Sequence, residues 1–190
     1  MNELWIAVLP TIAAGTFGIV GTLAGRRQTT DEAAVEHEQW LRGQRQTAYL
    51  EALDAMDVAL HEFGTLRREW GDLFEHAVAG GGGEEGFYVH VVNRLDSIGR
   101  ALEKPLERAR LLGPEEVDVH LQVASKAYAA LNRYVTRQLD ETTPDTGWTR
   151  WDGIHNTARE ERAAVMVACQ KKLQTPARPG RRIRLPRRRS

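Results

Sequence analysis

The six histidines are the residues most able to bind a metal ion, and their spacing argues against it. A metalloprotease helix needs His-Glu-x-x-His, which puts two imidazoles and a general base on one face. His61 precedes Glu62, but Thr65 stands where the second histidine is needed. A di-iron bundle needs two Glu-x-x-His pairs, and only His155 has an acid, Asp152, three residues earlier. We predict no metal site and mostly surface histidines, at positions 37, 61, 76, 90, 120 and 155.

Nucleophilic and phosphate-binding patterns are also missing. None of the three serines lies in a nucleophile-elbow motif. The single cysteine, Cys169, excludes an internal disulfide and a cysteine-ligated zinc cluster. It follows Val165 by one helical turn, which predicts a small buried apolar residue. The glycine run 80–83 has no Lys-Ser or Lys-Thr after it and no strand before it, so it predicts a connector. We therefore expect no enzymatic activity and no cofactor.

An uncharged run from Leu4 to Gly25 is the clearest element of the chain. Its 22 residues, as a helix, would extend roughly 33 Å, enough for a hydrocarbon core about 30 Å thick. Trp5 at one end and Arg26-Arg27 at the other are typical of membrane interfaces. A cleaved signal peptide and a buried core helix are the alternatives, but the run is long and lacks both a basic start and a polar face. We predict a single transmembrane anchor over residues 1–27.

The charges beside this anchor predict its orientation. Arg26 and Arg27 follow it, whereas the short N-terminal side contains Glu3 and no Lys or Arg. The positive-inside rule then places the N-terminus outside and residues 26–190 in the cytoplasm, at the inner (plasma) membrane.

Small residues within the anchor predict a helix-packing face. Gly21 and Gly25 form a GxxxG pair, and Gly18 belongs to a second row of small residues four apart. Such rows let two helix backbones approach closely, so a homodimer through the anchor is one prediction. The alternative is that glycine is simply common in anchors of this composition.

Four amphipathic helices are predicted, and the first of them begins within a polar, helical stalk at 28–43. We expect them at about 31–79, 87–112, 115–139 and 148–173, with a capping box starting the first at Thr29. The first has an apolar seam that Arg67 interrupts: Tyr49, Leu53, Met56, Leu60, Phe63, Trp70 and Phe74. Pro105 should bend or split the second helix, and Gly113 should cap it in the left-handed conformation. No segment alternates as a strand does, so the fold class is all-α, an up-and-down helical bundle over residues 44–173.

A basic tail ends the chain. Residues 171–190 carry a charge of +9 without one acid, against −9 for residues 1–170. We expect residues 174–190 to be disordered and their arginines to contact anionic membrane lipid. The alternatives are that the tail folds back on its own bundle or stays free. The seven tail arginines are Arg178, Arg181, Arg182, Arg184, Arg187, Arg188 and Arg189.

Two stretches carry a resemblance to a known group. Residues 44–53, QRQTAYLEAL, and residues 108–117, RARLLGPEEV, resemble recurring stretches of small actinobacterial proteins. Those proteins have one N-terminal membrane helix and a helical cytoplasmic region, and no activity is assigned to the group. The resemblance covers the anchor and most of the bundle, and it implies architecture only.

These observations lead to a non-enzymatic single-pass membrane protein. Its cytoplasmic bundle is expected to bind a protein partner or to hold a complex at the membrane. The alternative is a membrane-tethered nucleic-acid-binding protein that uses the arginine tail, since such tails add salt-dependent affinity for phosphates. The −9 charge of the remaining chain opposes an approach to DNA, and no recognition motif is visible.

Overall fold

The described part of the chain forms five helices. A computed structural model describes the backbone of residues 3–139, 144, 145 and 147–175, and within this part the side chains from residue 35 onward. The helices are α1 (Glu3–Arg68), α2 (Trp70–Ala79), α3 (Gly83–Leu112), α4 (Glu115–Gln138) and α5 (Trp151–Gln174). The described residues contain no strand, so the predicted all-α class is confirmed. The chain divides into two units, Met1–Gly43 and Gln44–Ser190.

The side chains of the predicted membrane anchor lie outside the described residues. Among the residues whose side chains are described, no helix is long and apolar enough to cross a membrane. Of the anchor at 1–27, only the backbone from Glu3 onward is described, as part of α1. The side chains of the predicted packing face, at positions 18, 21 and 25, lie outside the described residues, as do residues 176–190 with the seven tail arginines.

The second unit is a helical bundle, as predicted, and ion pairs define its register. The bundle part of α1 is antiparallel to α3, because Glu51 pairs with Arg108 and Glu62 with Arg94. The same part of α1 is antiparallel to α5, because Asp57 pairs with Arg162 and Arg67 pairs with Asp152. Between α1 and α4, the Tyr128 hydroxyl donates a hydrogen bond to the Met56 carbonyl at 3.0 Å. The α1 segment, α3, α4 and α5 thus surround one core.

The apolar seam of α1 differs in part from its prediction. Tyr49, Met56 and Phe63 are buried as expected, but Phe74 is exposed, and Leu53, Leu60 and Trp70 are only partly buried. Ala52, Ala59 and Leu66 complete the buried stripe. Arg67 does not interrupt the stripe, because its neighbour Leu66 faces the core one position earlier.

The other differences between the predicted and the observed helices concern where a helix begins, breaks or ends. No helix begins at Thr29, because the α1 backbone continues through it. The predicted first helix is instead interrupted at Glu69, whose φ of −89° and ψ of 1° form a one-residue break. Pro105 does not split α3, which packs through Leu102 and Leu106 on either side of it. Gly113 is extended, with φ −79° and ψ 157°, since a residue before proline disfavours helical conformations.

Candidate functional site

Aromatic rings from four helices and one connection converge at one end of the bundle. Trp70 of α2 contacts Phe87 of α3 edge-on, with ring centroids 5.0 Å apart. Trp70 also contacts Trp148, in the connection between α4 and α5, at 5.2 Å. Trp148 in turn meets Tyr134 of α4 at 5.8 Å and Trp151 of α5 at 5.5 Å. Edge-to-face pairs at these distances are favourable, so the cluster ties α2 and α3 to the α4–α5 connection.

A carboxylate holds Trp148 in place. Asp145 accepts hydrogen bonds from the Tyr134 hydroxyl at 2.8 Å and from the Thr149 hydroxyl at 3.0 Å. Its backbone carbonyl accepts the Trp148 N–H at 2.8 Å. Burial raises the pKa of Asp145, but the hydrogen bonds from Tyr134, Thr149 and Arg150 outweigh it and lower that pKa to about 2. Trp148 has a φ of 52°, a conformation that a bulky side chain seldom adopts, and this network holds it there.

Arg67 and His155 complete the cluster on the side of Trp151. The Arg67 guanidinium lies 5.4 Å from the centre of the Trp151 ring and pairs with Asp152 at 3.2 Å. The imidazole of His155 stacks on Trp151 with ring centroids 5.2 Å apart. Burial lowers the pKa of His155. His155 is therefore a partly buried packing residue rather than a surface histidine.

The remaining candidates for chemistry do not assemble into a catalytic or metal site within the described residues. No group of three His, Cys, Asp or Glu side chains could hold a metal ion there. Cys169 is buried, as predicted, and burial raises the pKa of its thiol to about 11, which disfavours the thiolate a nucleophile requires. Of the histidines, His120 is partly buried and the four at 37, 61, 76 and 90 are exposed.

The α2–α3 hairpin, defined as residues 69–93, leaves apolar surface uncovered. Six of the ten residues of α2 are apolar, yet none of the ten is buried. Phe74 is 40% exposed and Val78, one turn later, is 51% exposed. Tyr88 and Val89 of α3 are also exposed. Phe74 packs edge-on against Phe87 at 5.4 Å, so this surface is continuous with the aromatic cluster.

The hairpin also concentrates negative charge. Residues 69–93 contain five acids and no Lys or Arg. In residues 44–175 as a whole there are 21 acids and 16 bases, so the remaining residues of that range balance and the net charge of −5 lies in the hairpin. Glu69 pairs with Arg94 at 3.2 Å. The other four acids are exposed and form no ion pair with a described residue: Asp72, Glu75, Glu84 and Glu85.

The two stretches that carry the resemblance meet at the opposite end of the bundle. Arg45 Nε donates to the Leu112 carbonyl at 2.8 Å, and Arg108 pairs with Glu51 at 2.7 Å. Arg45 thereby satisfies a carbonyl at the C-terminus of α3, where a cation also interacts favourably with the helix dipole. A Cβ at Gly113 would lie 3.3 Å from the Tyr49 hydroxyl. These contacts join α1 to α3 and to the turn between α3 and α4, so we assign the two stretches a structural role.

The comparisons with known proteins give no match to build on. No protein-family model matches the chain, and no significant match was found among curated proteins or among solved structures. The resemblance to actinobacterial proteins therefore stays a prediction. The apolar seam predicted Trp70 as a core residue but did not predict the cluster, because the members of the cluster are brought together only by tertiary packing. The five acids without a base in 69–93 were a readable signal that this prediction did not use.

Proposed function

We propose that this protein is a non-enzymatic, membrane-anchored interaction module whose helical bundle presents the α2–α3 hairpin to a protein partner. The observation that carries the proposal is that Phe74 and Val78 of α2 stay 40% and 51% exposed, whereas Trp70, Leu73 and Ala77 of the same helix pack against the core. Exposed contiguous apolar surface of this kind marks interaction sites in soluble domains. Aromatic residues are typical anchors of protein interfaces, and Phe74 and Trp70 occupy this surface.

The membrane part of the proposal rests on the sequence. Residues 1–27 form the anchor, the N-terminus lies outside, and the bundle lies in the cytoplasm. The anchor pairs with a second copy through Gly18, Gly21 and Gly25. Replacing these three residues with isoleucine should retain insertion but reduce crosslinked dimer in native membranes, and an unchanged yield would contradict the pairing. A cytoplasm-specific reporter fused after Ser190 should be active, and activity of a periplasm-specific reporter instead would reverse the orientation.

The tail arginines are proposed to contact anionic lipid. In the bundle, Asp57 pairs with Arg162 and Arg67 pairs with Asp152, so α5 is antiparallel to α1 and ends beside the start of the bundle near Gln44. The tail therefore begins at the same end of the bundle as Gln44, the first bundle residue after the stalk. Each arginine near an anionic surface contributes about 1 kcal/mol. Residues 28–190 should float with anionic liposomes, less so at high salt, and not when the seven arginines are replaced by glutamine.

A comparison of residues 28–190 with the same fragment ending at Gln174 distinguishes a lipid contact from a nucleic-acid contact. If the longer fragment retained DNA and bound neutral and anionic liposomes equally, the nucleic-acid alternative would replace the lipid contact.

The partner-binding role is tested by photocrosslinking in cells. A photoreactive amino acid at Val78 of the full chain should crosslink to another protein. The control is the same amino acid at Val119 of α4, which is similarly exposed, at 53% against 51%, but lies outside the hairpin. Equal crosslinking at the two positions, or none at Val78, would contradict the proposed function.

A further inference from the structure

We infer that the partner segment that docks on the α2–α3 hairpin is basic and amphipathic. Its bulky apolar side chains cover Phe74 and Val78, and its Lys or Arg side chains face the four unpaired hairpin acids. This inference rests on the proposed function and adds the chemistry of the partner.

The apolar part of the surface has the spacing of a helical docking face. Phe74 and Val78 are four residues apart on α2, so they lie on the same side of the helix. Both are exposed, and Phe74 rests on Phe87, which is itself buried. Trp70 is held by its contact with Trp148. These contacts fix the rings before binding, which lowers the entropy that an interface must lose on association.

The charge around this apolar surface selects the sign of the partner. Glu75 lies three residues before Val78 on α2, Asp72 lies further around the same helix, and Glu84 and Glu85 lie in the first turn of α3. The hairpin holds the whole net charge of −5 of residues 44–175. A surface of one sign attracts partners of the opposite sign and disfavours those of its own. Anionic lipid and nucleic acid are therefore repelled by this face.

A second copy of the chain is disfavoured by the same charge. A two-fold interface places the same patch of both subunits together, which would bring the acids of one hairpin against those of the other. The inference therefore commits to another protein rather than to self-association.

The chain's own arginine tail begins at the other end of the bundle. The 24 residues of α5 extend about 35 Å from Trp151, in the aromatic cluster, to Gln174, after which the tail begins. The hairpin acids therefore lie far from the residue at which the tail begins.

The experiment identifies what is captured at Val78. The full chain with the photoreactive amino acid at Val78 is crosslinked in cells, and the attached peptide is identified by mass spectrometry. The inference expects a segment of another protein with several Lys or Arg residues and bulky apolar residues at helical spacing. An acidic or neutral segment would overturn the inference while leaving the proposed function in place. The chain's own tail or a second hairpin would also overturn it, and no crosslink would overturn both.

A charge variant measures the electrostatic part. The hairpin variant is Asp72→Asn, Glu75→Gln, Glu84→Gln and Glu85→Gln. The control variant removes the same charges from exposed positions elsewhere: Asp54→Asn, Glu103→Gln, Glu107→Gln and Glu160→Gln. Circular dichroism establishes that both remain folded.

The probe for these variants is a synthetic peptide with the sequence of the captured segment. It is titrated against the full chain in nanodiscs of neutral phosphatidylcholine. Four exposed ion pairs should make the hairpin variant bind about tenfold more weakly and reduce its salt dependence, whereas the control should bind like the original protein. Equal affinity of the two variants would refute the assigned role of the hairpin charges.

Discussion

Two buried tyrosines, one with a hydrogen-bond partner in the described residues and one without, test how an unsatisfied hydroxyl changes the free energy of unfolding. Tyr49 and Tyr128 are 2% and 3% exposed. The Tyr128 hydroxyl donates to the Met56 carbonyl at 3.0 Å, whereas the Tyr49 hydroxyl has no hydrogen-bond partner among the described residues. Removing each hydroxyl by Tyr→Phe should therefore change the free energy of unfolding in opposite directions.

The expected magnitudes follow from the two environments. An unsatisfied buried polar group costs about 1–3 kcal/mol, and part of the gain from removing it is lost to the small void left behind. Tyr49→Phe should thus stabilise the bundle by about 1 kcal/mol. Tyr128→Phe loses one intact hydrogen bond and should destabilise it by about 1 kcal/mol. For a bundle of this size the two melting temperatures should differ by roughly 6–8 °C.

Urea titration of the full chain in a mild detergent, followed by tryptophan fluorescence, measures both variants. Tyr88→Phe is the control, since Tyr88 is exposed and its replacement should leave the urea midpoint unchanged. If Tyr49→Phe destabilises the protein as much as Tyr128→Phe does, then the Tyr49 hydroxyl has a partner such as a buried water. The reasoning from burial would then be wrong.

Three further predictions concern titratable groups. Burial is the main cause that raises the pKa of Tyr49 and of Tyr134 to about 12; because the unfolded chain ionises first, stability should fall as the pH rises from about 10 to 12. Tyrosinate absorbance should lag behind that of the urea-unfolded chain, and coincident titrations would contradict this. Burial raises the pKa of Cys169 to about 11, so a thiol reagent at pH 8 should react only after urea is added; rapid reaction of the native protein would show an accessible thiol. Burial lowers the pKa of His155, so the unfolded state binds its proton first and stability should decrease as the pH falls below about 6.5. His155→Gln should flatten urea midpoints between pH 7.5 and 5.5, and an unchanged slope would assign it to other groups.

The sequence was sufficient for α3, α4, α5 and much of the core, but not for the start of α1 or the break at Glu69. The turn at Gly113 and Pro114 was predicted within a residue, because proline and glycine act on the local backbone. The stripe Tyr49, Met56 and Phe63 was predicted because helical periodicity is a local property. The conformation of Gly113 was wrong, since the effect of the following proline was not considered.

The candidate site could be predicted only in its parts. Periodicity identified Phe74 as a core residue, but the structure leaves it exposed at the end of the bundle. A period shows which side of a helix is apolar, and it does not show whether another element covers that side. For the same reason the partial burial of His155 could not be predicted: it lies one helical turn after Trp151, where Arg67 of α1 packs over the Trp151 ring.

The sequence by itself determined the all-α class, the approximate bounds of α3, α4 and α5 and the segregation of charge, because each depends on residue type and short-range spacing. Only the tertiary structure decided which distant residues meet. Tyr134 reaches Trp148 because the chain turns back between α4 and α5, and Arg45 reaches Leu112 because α1 and α3 are antiparallel. It also decided that Phe74 and Val78 of α2 stay exposed while Trp70, Leu73 and Ala77 pack against the core.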